Sequence, residues 1–140
     1  MDDDALKSLL DSVRTVAIVG LSTDPEKTSS RIARILLDAD YDVIPVHPTA
    51  REILGRTAYP SLAEIPVHVD VVDVFRPAEE APGIARDAVA IGAGTLWLQL
   101  GIASDEARAI AEAAGLGYVE DTCIGATTLR LGNRAAGASA

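Results

Sequence analysis

Residues 15–37 read TVAIVGLSTDPEKTSSRIARILL, and this stretch decides the fold. Its first part, residues 15–20, is an unbroken apolar run of strand length. A polar loop, residues 21–28, follows. From Ser29 onward, Ile32, Ile35, Leu36 and Ala39 recur at helical spacing and predict a helix over 29–39, with Arg34 and Asp38 as an i,i+4 pair on its other side. A buried strand, a loop and an amphipathic helix form the opening unit of an α/β fold.

The same alternation continues outward. Leu6, Leu9 and Leu10 predict a short amphipathic helix over residues 3–12. Residues 42–46, DVIPV, read as the second strand, with Pro45 unable to donate a ladder hydrogen bond. Residues 49–66 are irregular, with a short strand expected at 57–59 and one helical turn after Pro60-Ser61. Residues 69–75 form the third clear strand, apolar except for Asp70 and Asp73. A helix over 82–91, a strand over 95–100, a helix capped by Ser104 and closed by Gly115, and a strand over 117–120 complete the pattern. The prediction is a Rossmann-type doubly wound parallel sheet in a single α/β domain, residues 1–131. The small, polar end, residues 132–140, is expected to be a disordered tail.

Composition narrows the function. The chain of 140 residues carries a net charge of −9, with two lysines, Lys7 and Lys27, against ten arginines. Such a surface repels phosphate backbones, so no nucleic acid partner is expected. No apolar run reaches the length of a membrane span, and the acidic start, Met1-Asp2-Asp3-Asp4, is unlike a secretory signal. A cytoplasmic protein is expected. The single cysteine, Cys123, permits no internal disulfide. Two histidines and one cysteine make an all-protein zinc site improbable.

Ligands of open α/β sheets bind at the carboxyl ends of the strands, where strand order reverses. In the first such loop, Gly20 permits a tight backbone turn, Ser22, Thr23, Thr28, Ser29 and Ser30 supply hydroxyls, and Lys27 and Arg31 place cations at a helix start. A phosphate cradle has this composition; a polar loop with an ordinary helix cap has it too. Cations at a helix N-terminus oppose the helix dipole unless an anion is present, which favours the cradle. The loop lacks G-x-G-x-x-G, and the end of the second strand offers His47-Pro48 where a dinucleotide site needs an acid. The rigid corner Val46-His47-Pro48 suits an adenine ring or a plain strand end. Phe75-Arg76 and Gln99 with Gly101 end two further strands; Arg76 can hold a phosphate or carboxylate, and Gln99 an amide-containing arm. Trp97 is expected in the core.

The ordered set TVAIVGLSTDPEKTSSRIARILL, YDVIPVHP, EILGRTAYPSLAEIP, VDVVDVFRPAEEAP, AIGAGTLWLQLG and DTCI resembles the stand-alone CoA-binding domain family. It is similar to the N-terminal domain of the succinyl-CoA synthetase α subunit and of the NDP-forming acyl-CoA synthetases. The likeness covers about residues 8 to 124. It implies that Gly20, Ser22 and Ser29 hold the CoA phosphates and pantetheine, with Lys27 and Arg31 as anion partners. It implies further that Val46, His47 and Pro48 border the adenosine, and that Phe75, Arg76, Gln99 and Gly101 line the pantetheine arm. After Cys123 this chain departs from the pattern, with IGATTL in place of a basic residue and a charged tail.

No Ser-His-Asp set, metal cluster or G-x-S-x-G elbow is present in the sequence. The sequence therefore predicts a protein that binds coenzyme A or an acyl-CoA without catalytic machinery of its own. A small NAD(P)-dependent oxidoreductase, or a nucleotide-binding regulatory subunit, is the alternative. Whether Cys123 is a buried small hydrophobe or lies near the reactive end of a bound arm is left open by its place after the final strand.

Overall fold

Strands of two to five residues and helices make up the computed structural model, which describes residues 1–138. In chain order the elements are α1 (Asp3–Ser12), β1 (Thr15–Val19), α2 (Thr28–Asp38), β2 (Asp42–Val46), β3 (Glu52–Ile53), β4 (Arg56–Thr57), β5 (Val71–Val74), α3 (Ala81–Ala90), β6 (Thr95–Leu98), α4 (Asp105–Ala113), β7 (Gly117–Val119) and α5 (Ile124–Leu131). Five strands pair in parallel in the order β2-β1-β5-β6-β7, while β3 and β4 form a separate antiparallel pair. Strand order reverses between β1 and β5, because β2 lies on one side of β1 and β5, β6 and β7 lie on the other. This is the doubly wound arrangement that the sequence predicts.

Side-chain alternation assigns the two faces. Val16, Ile18, Val71 and Trp97 pack with Leu6 and Leu10 of α1, Ile32 and Leu36 of α2, and Ile124 of α5. Ala17, Val72, Val74, Leu96 and Leu98 pack on the other face with Ala81, Ala85 and Ala88 of α3 and Ala107 and Ala111 of α4. The alanines of α3 fall at i, i+4 and i+7, so one stripe of that helix lies flat on the sheet. The expected cap holds, Ser104 accepting the N–H of Ala107, and at the start of α1 Asp2 accepts that of Ala5.

Three expectations are corrected. Residues 124–131 form α5, which the sequence reading left unassigned. Gly125 is its key residue: a Cβ there would sit 2.8 Å from Ile32 Cδ1, so glycine lets α5 press against α2. The expected short strand at 57–59 is instead β4 at Arg56–Thr57, and Tyr59 forms an isolated parallel bridge to Val46. The stretch expected to fray is held down: Ala135 N–H donates to Ala39 O, Ala136 N–H to Val13 O, and buried Asn133 donates to Lys7 O and Asp11 Oδ1. Two backbone bonds and one buried amide outweigh the small, polar composition there. Residues 139 and 140 of that predicted tail lie outside the described residues.

The two aspartates of the third strand segment differ. Asp70 Oδ2 accepts the N–H groups of Arg14 and Thr15 and so fixes the start of β1. Asp73 stands in register between Ile18 and Trp97, fully buried, and neither carboxyl oxygen has a hydrogen-bond partner among the described residues. Burial pushes its carboxyl well above the usual range, so the folded protein keeps it protonated. In the unfolded chain it ionises near its ordinary value of 3.8. The folded state is therefore favoured most below that value and loses this advantage as pH rises towards the folded value. Asp73→Asn should flatten the fall in stability with rising pH, read as urea midpoints at a series of pH values; an unchanged slope would mean that Asp73 is charged or solvated in the fold.

Candidate functional site

Gly20 ends β1 in a conformation open to glycine, with φ of +94°. Its N–H donates to Val46 O at the end of β2, and Phe75 N–H donates to Val19 O across from β5. The ends of β1, β2 and β5 are thereby drawn together. A Cβ on Gly20 would lie 2.8 Å from the Phe75 carbonyl oxygen and 2.9 Å from Arg76 Cδ. The sequence reading reserves this glycine for close approach of a ligand. The structure gives that space to the chain itself, to the Phe75 carbonyl and the stem of Arg76.

Two clefts open along this edge. The first, about 540 Å³, is lined by Gly20, Ser22 and Thr23 of the first loop, Val46, His47 and Pro48 after β2, and Arg76, Glu80 and Ile84 across from them. The second, about 410 Å³, is lined by Thr28, Phe75, Arg76, Gln99, Ile102 and Cys123 among others. Arg76 lines both. Val46 and Ile84 belong to the face of α3 and α4, Phe75 and Cys123 to the face of α1, α2 and α5. Leu21 of the first cleft and Ile102 of the second come from the opposite faces, so each cleft draws on both sides of the sheet, and the two meet over its carboxyl edge at Arg76.

Each predicted site residue has a definite place. Gly20, Ser22, Val46, His47, Pro48 and Arg76 come together in the first cleft; Phe75, Arg76 and Gln99 come together in the second. Ser29, Lys27, Arg31 and Gly101 line neither. Ser29 is buried, and its Oγ accepts the N–H of Ser22 at 3.0 Å, so it shapes the loop from below. Ser30 Oγ donates to the carbonyls of Ser22 and Asp24, at 3.2 and 2.7 Å. Ser22 Oγ accepts from Asp24 N–H, which leaves its own proton for a ligand oxygen. Arg31 donates to Glu26 O and is exposed on α2. Lys27 is the exposed N-cap of α2 and makes no side-chain cap bond. Gly101 N–H is taken by Asp121 Oδ1 at 2.7 Å.

His47 has a structural duty inside the cleft. Its Nδ1 accepts the N–H groups of Thr49 and Ala50, at 3.1 and 2.9 Å, as an Asp or Asn would in a tight turn. The neutral ring then carries its proton on Nε2, a donor. Arg76 is held by both oxygens of Glu80, at 3.2 and 2.7 Å. This pair keeps Arg76 charged and holds the Glu80 carboxyl below its ordinary value, through the hydrogen bond first and the opposite charge second. Gln99 Oε1 accepts the N–H of Ile124, the first residue of α5. Trp97 lies in the core as expected, with Nε1 donating to Thr122 O.

The lining residues missed from the sequence include Glu80, Ile84, Pro60 and Ile102. Glu80 had a legible signal, since it stands four residues after Arg76. Pro60 comes to the cleft through the bridge of Tyr59 to Val46, which no local pattern announces. Among the described residues, no group of three or more His, Cys, Asp or Glu is placed to hold a metal ion. Among the described residues, no helix is long and apolar enough to cross a membrane.

A sheet wound on both faces, with a pair of clefts at the point where strand order reverses, has the arrangement in which open α/β folds bind their ligands. The chain belongs to the CoA binding domain family, whose model matches residues 14–128. It is 38% identical over 119 residues to the uncharacterized protein YneT of Bacillus subtilis, covering 85% of this chain and 88% of that one. It is 34% identical to a hypothetical protein from Pyrococcus horikoshii of known structure, with a TM-score of 0.90 over 94% of this chain and 92% of that one. It is also 32% identical over 124 residues to an ADP-forming acetate–CoA ligase of Archaeoglobus fulgidus, matching 80% of this chain but only 18% of the ligase.

Because the Gly20 position is packed against backbone, Gly20→Val should destabilise the fold itself, by about 1–3 kcal/mol for the positive φ alone. Urea unfolding checks this, and an unchanged midpoint would show that the end of β1 is free to move.

Proposed function

We propose that the protein binds coenzyme A, free or acylated, across both clefts, and that it brings no catalytic group of its own to that ligand. The observation that carries this reading is the junction at Arg76: two clefts of different character share one cation. The first offers Ser22 and Thr23 hydroxyls and the His47 ring, suited to a nucleotide and its phosphates. The second offers Phe75, Ile102 and the Gln99 amide, suited to a flexible arm with amide groups. Family membership supports the choice of CoA over other nucleotides with long substituents.

Two ionisable groups of the first cleft, His47 and Glu80, are occupied in ways that support binding over catalysis. His47 Nδ1 is taken by two backbone N–H groups, so it cannot act there as a base without breaking its turn. Glu80 is taken by Arg76. No hydroxyl is hydrogen-bonded to a histidine among the described residues, as an activated serine would require. The acidic chain and its single cysteine fit a reducing, cytoplasmic setting with a small-molecule ligand and no nucleic acid. Isothermal titration with CoA, acetyl-CoA, NAD and ATP tests the reading: CoA or acetyl-CoA should bind tightest, and tighter binding of NAD would overturn it.

Glu80 sharpens that test. It sets a negative charge in a cleft meant for phosphates and holds the cation shared by both clefts. Glu80→Gln should therefore bind CoA several-fold more tightly, with a steeper salt dependence, whereas Arg76→Ala should weaken binding by about an order of magnitude. Titration at two salt concentrations reads both effects; weaker binding by Glu80→Gln would mean that Glu80 positions Arg76 rather than competing for it.

A further inference from the structure

We propose that the second cleft receives the hydrocarbon chain of an acylated coenzyme A, so that the preferred ligand is the thioester of an aliphatic monocarboxylic acid rather than free CoA or a dicarboxylic thioester. This rests on the reading that CoA spans both clefts; what is added is the chemical class of the group at the end of its arm.

The observation that carries it is Leu100. Four large apolar side chains are mostly exposed among the described residues, Met1, Val67, Leu100 and Leu129, and Leu100 is the most exposed of them at 69%. It alone of the four lines either cleft. Leu100 is not a loose loop tip. It occupies a tight turn in which Ile102 N–H donates to Gln99 O at 2.9 Å, with Gly101 in the third position at φ +86°. Asp121, in the loop after β7, clamps that turn: its Oδ1 accepts Gly101 N–H at 2.7 Å, and its own N–H donates to Ile102 O at 3.0 Å. Asp121 takes up left-handed backbone to do so, at φ +51°, a conformation unfavourable for a residue with a Cβ. Strained backbone and three hydrogen bonds thus fix a leucine in water, an arrangement that becomes favourable when a ligand covers it.

The lining of the cleft says what covers it. Phe75, Pro77, Leu100 and Ile102 give it apolar walls. Its one charged side chain is Arg76, which already meets both oxygens of Glu80 and stands at the junction with the first cleft. No second cation lines the cleft to pair with a terminal carboxylate. A cleft of about 410 Å³ has the size of a small-molecule site. A protein partner needs a contiguous face that buries about 1,000 Å² in all. The neighbours of Leu100 in its turn offer none, being a nearly buried glutamine and a glycine. With the nucleotide end of CoA in the first cleft, continuity through Arg76 makes an aliphatic chain on the same ligand the occupant.

The test is isothermal titration of the whole protein with free CoA and with its acetyl, butyryl, hexanoyl and succinyl thioesters. Affinity should rise from acetyl to butyryl to hexanoyl by about two- to fourfold per methylene, fourfold corresponding to full burial. Butyryl-CoA should bind about fivefold or more tightly than succinyl-CoA, whose chain of equal length ends in a carboxylate. Leu100→Ser should lower the ratio of hexanoyl-CoA to free-CoA affinity by about threefold or more, whereas Leu100→Met should keep it. Taking the ratio within each variant cancels any effect on the arm that both ligands share.

If free CoA binds but affinity is flat along the series, or succinyl-CoA binds more tightly than butyryl-CoA, or Leu100→Ser leaves the ratio unchanged, the acyl proposal is overturned while the binding reading stands. A dimer in sedimentation that Leu100→Ser dissolves also overturns it, by seating a second copy on the leucine. Failure of free CoA and of every thioester to bind overturns the binding reading itself.

Discussion

The close approach of Gly20 to Phe75 is the constraint on which the site depends. The carboxyl ends of β1, β2 and β5 meet where Gly20 donates to Val46 O and Phe75 donates to Val19 O. With a Cβ at Gly20, the Phe75 carbonyl and the Arg76 side chain would both have to move. Arg76 then would not lie between the two clefts. The single missing methyl group thus sets the sheet edge, the path of the arginine and the continuity of the binding surface together.

The second support is α5. It presses on α2 through Gly125, buries Ile124 and takes the Gln99 carbonyl at its first N–H. That contact turns a strand-end glutamine into part of a wall and sets Cys123 beside it. The returning segment 133–136 then ties α1, α2 and the start of β1 through Asn133, Ala135 and Ala136. α5 is therefore braced at both its ends, while Ile84 of α3 reaches the first cleft.

Much of this was legible in the sequence. Strand–helix alternation gave the layers because each strand is a short apolar run and each long helix has a clean stripe. The strand-end rule led to Ser22, His47, Arg76 and Gln99 without any knowledge of the fold's details. Other features were not legible, for physical reasons. α5 contains Gly125, Thr127 and Thr128, poor helix formers; all three are buried, and Gly125 allows close packing against α2. Lys27 and Arg31 attract notice as cations by a helix start, but sequence spacing does not say which way a side chain points, and Arg31 turns to Glu26 O. The unpaired state of Asp73 is likewise set by neighbours on β1 and β6 that are far away in sequence.

The central claim is that one ligand occupies both clefts and crosses the sheet edge at Arg76. Amide chemical shifts followed during a CoA titration test this most directly. Residues of the first cleft, such as Ser22 and His47, and of the second, such as Gln99 and Cys123, should shift along a single saturation curve, while ADP should move the first group alone. Shifts confined to one cleft at saturating CoA, or two independent curves, would contradict the account.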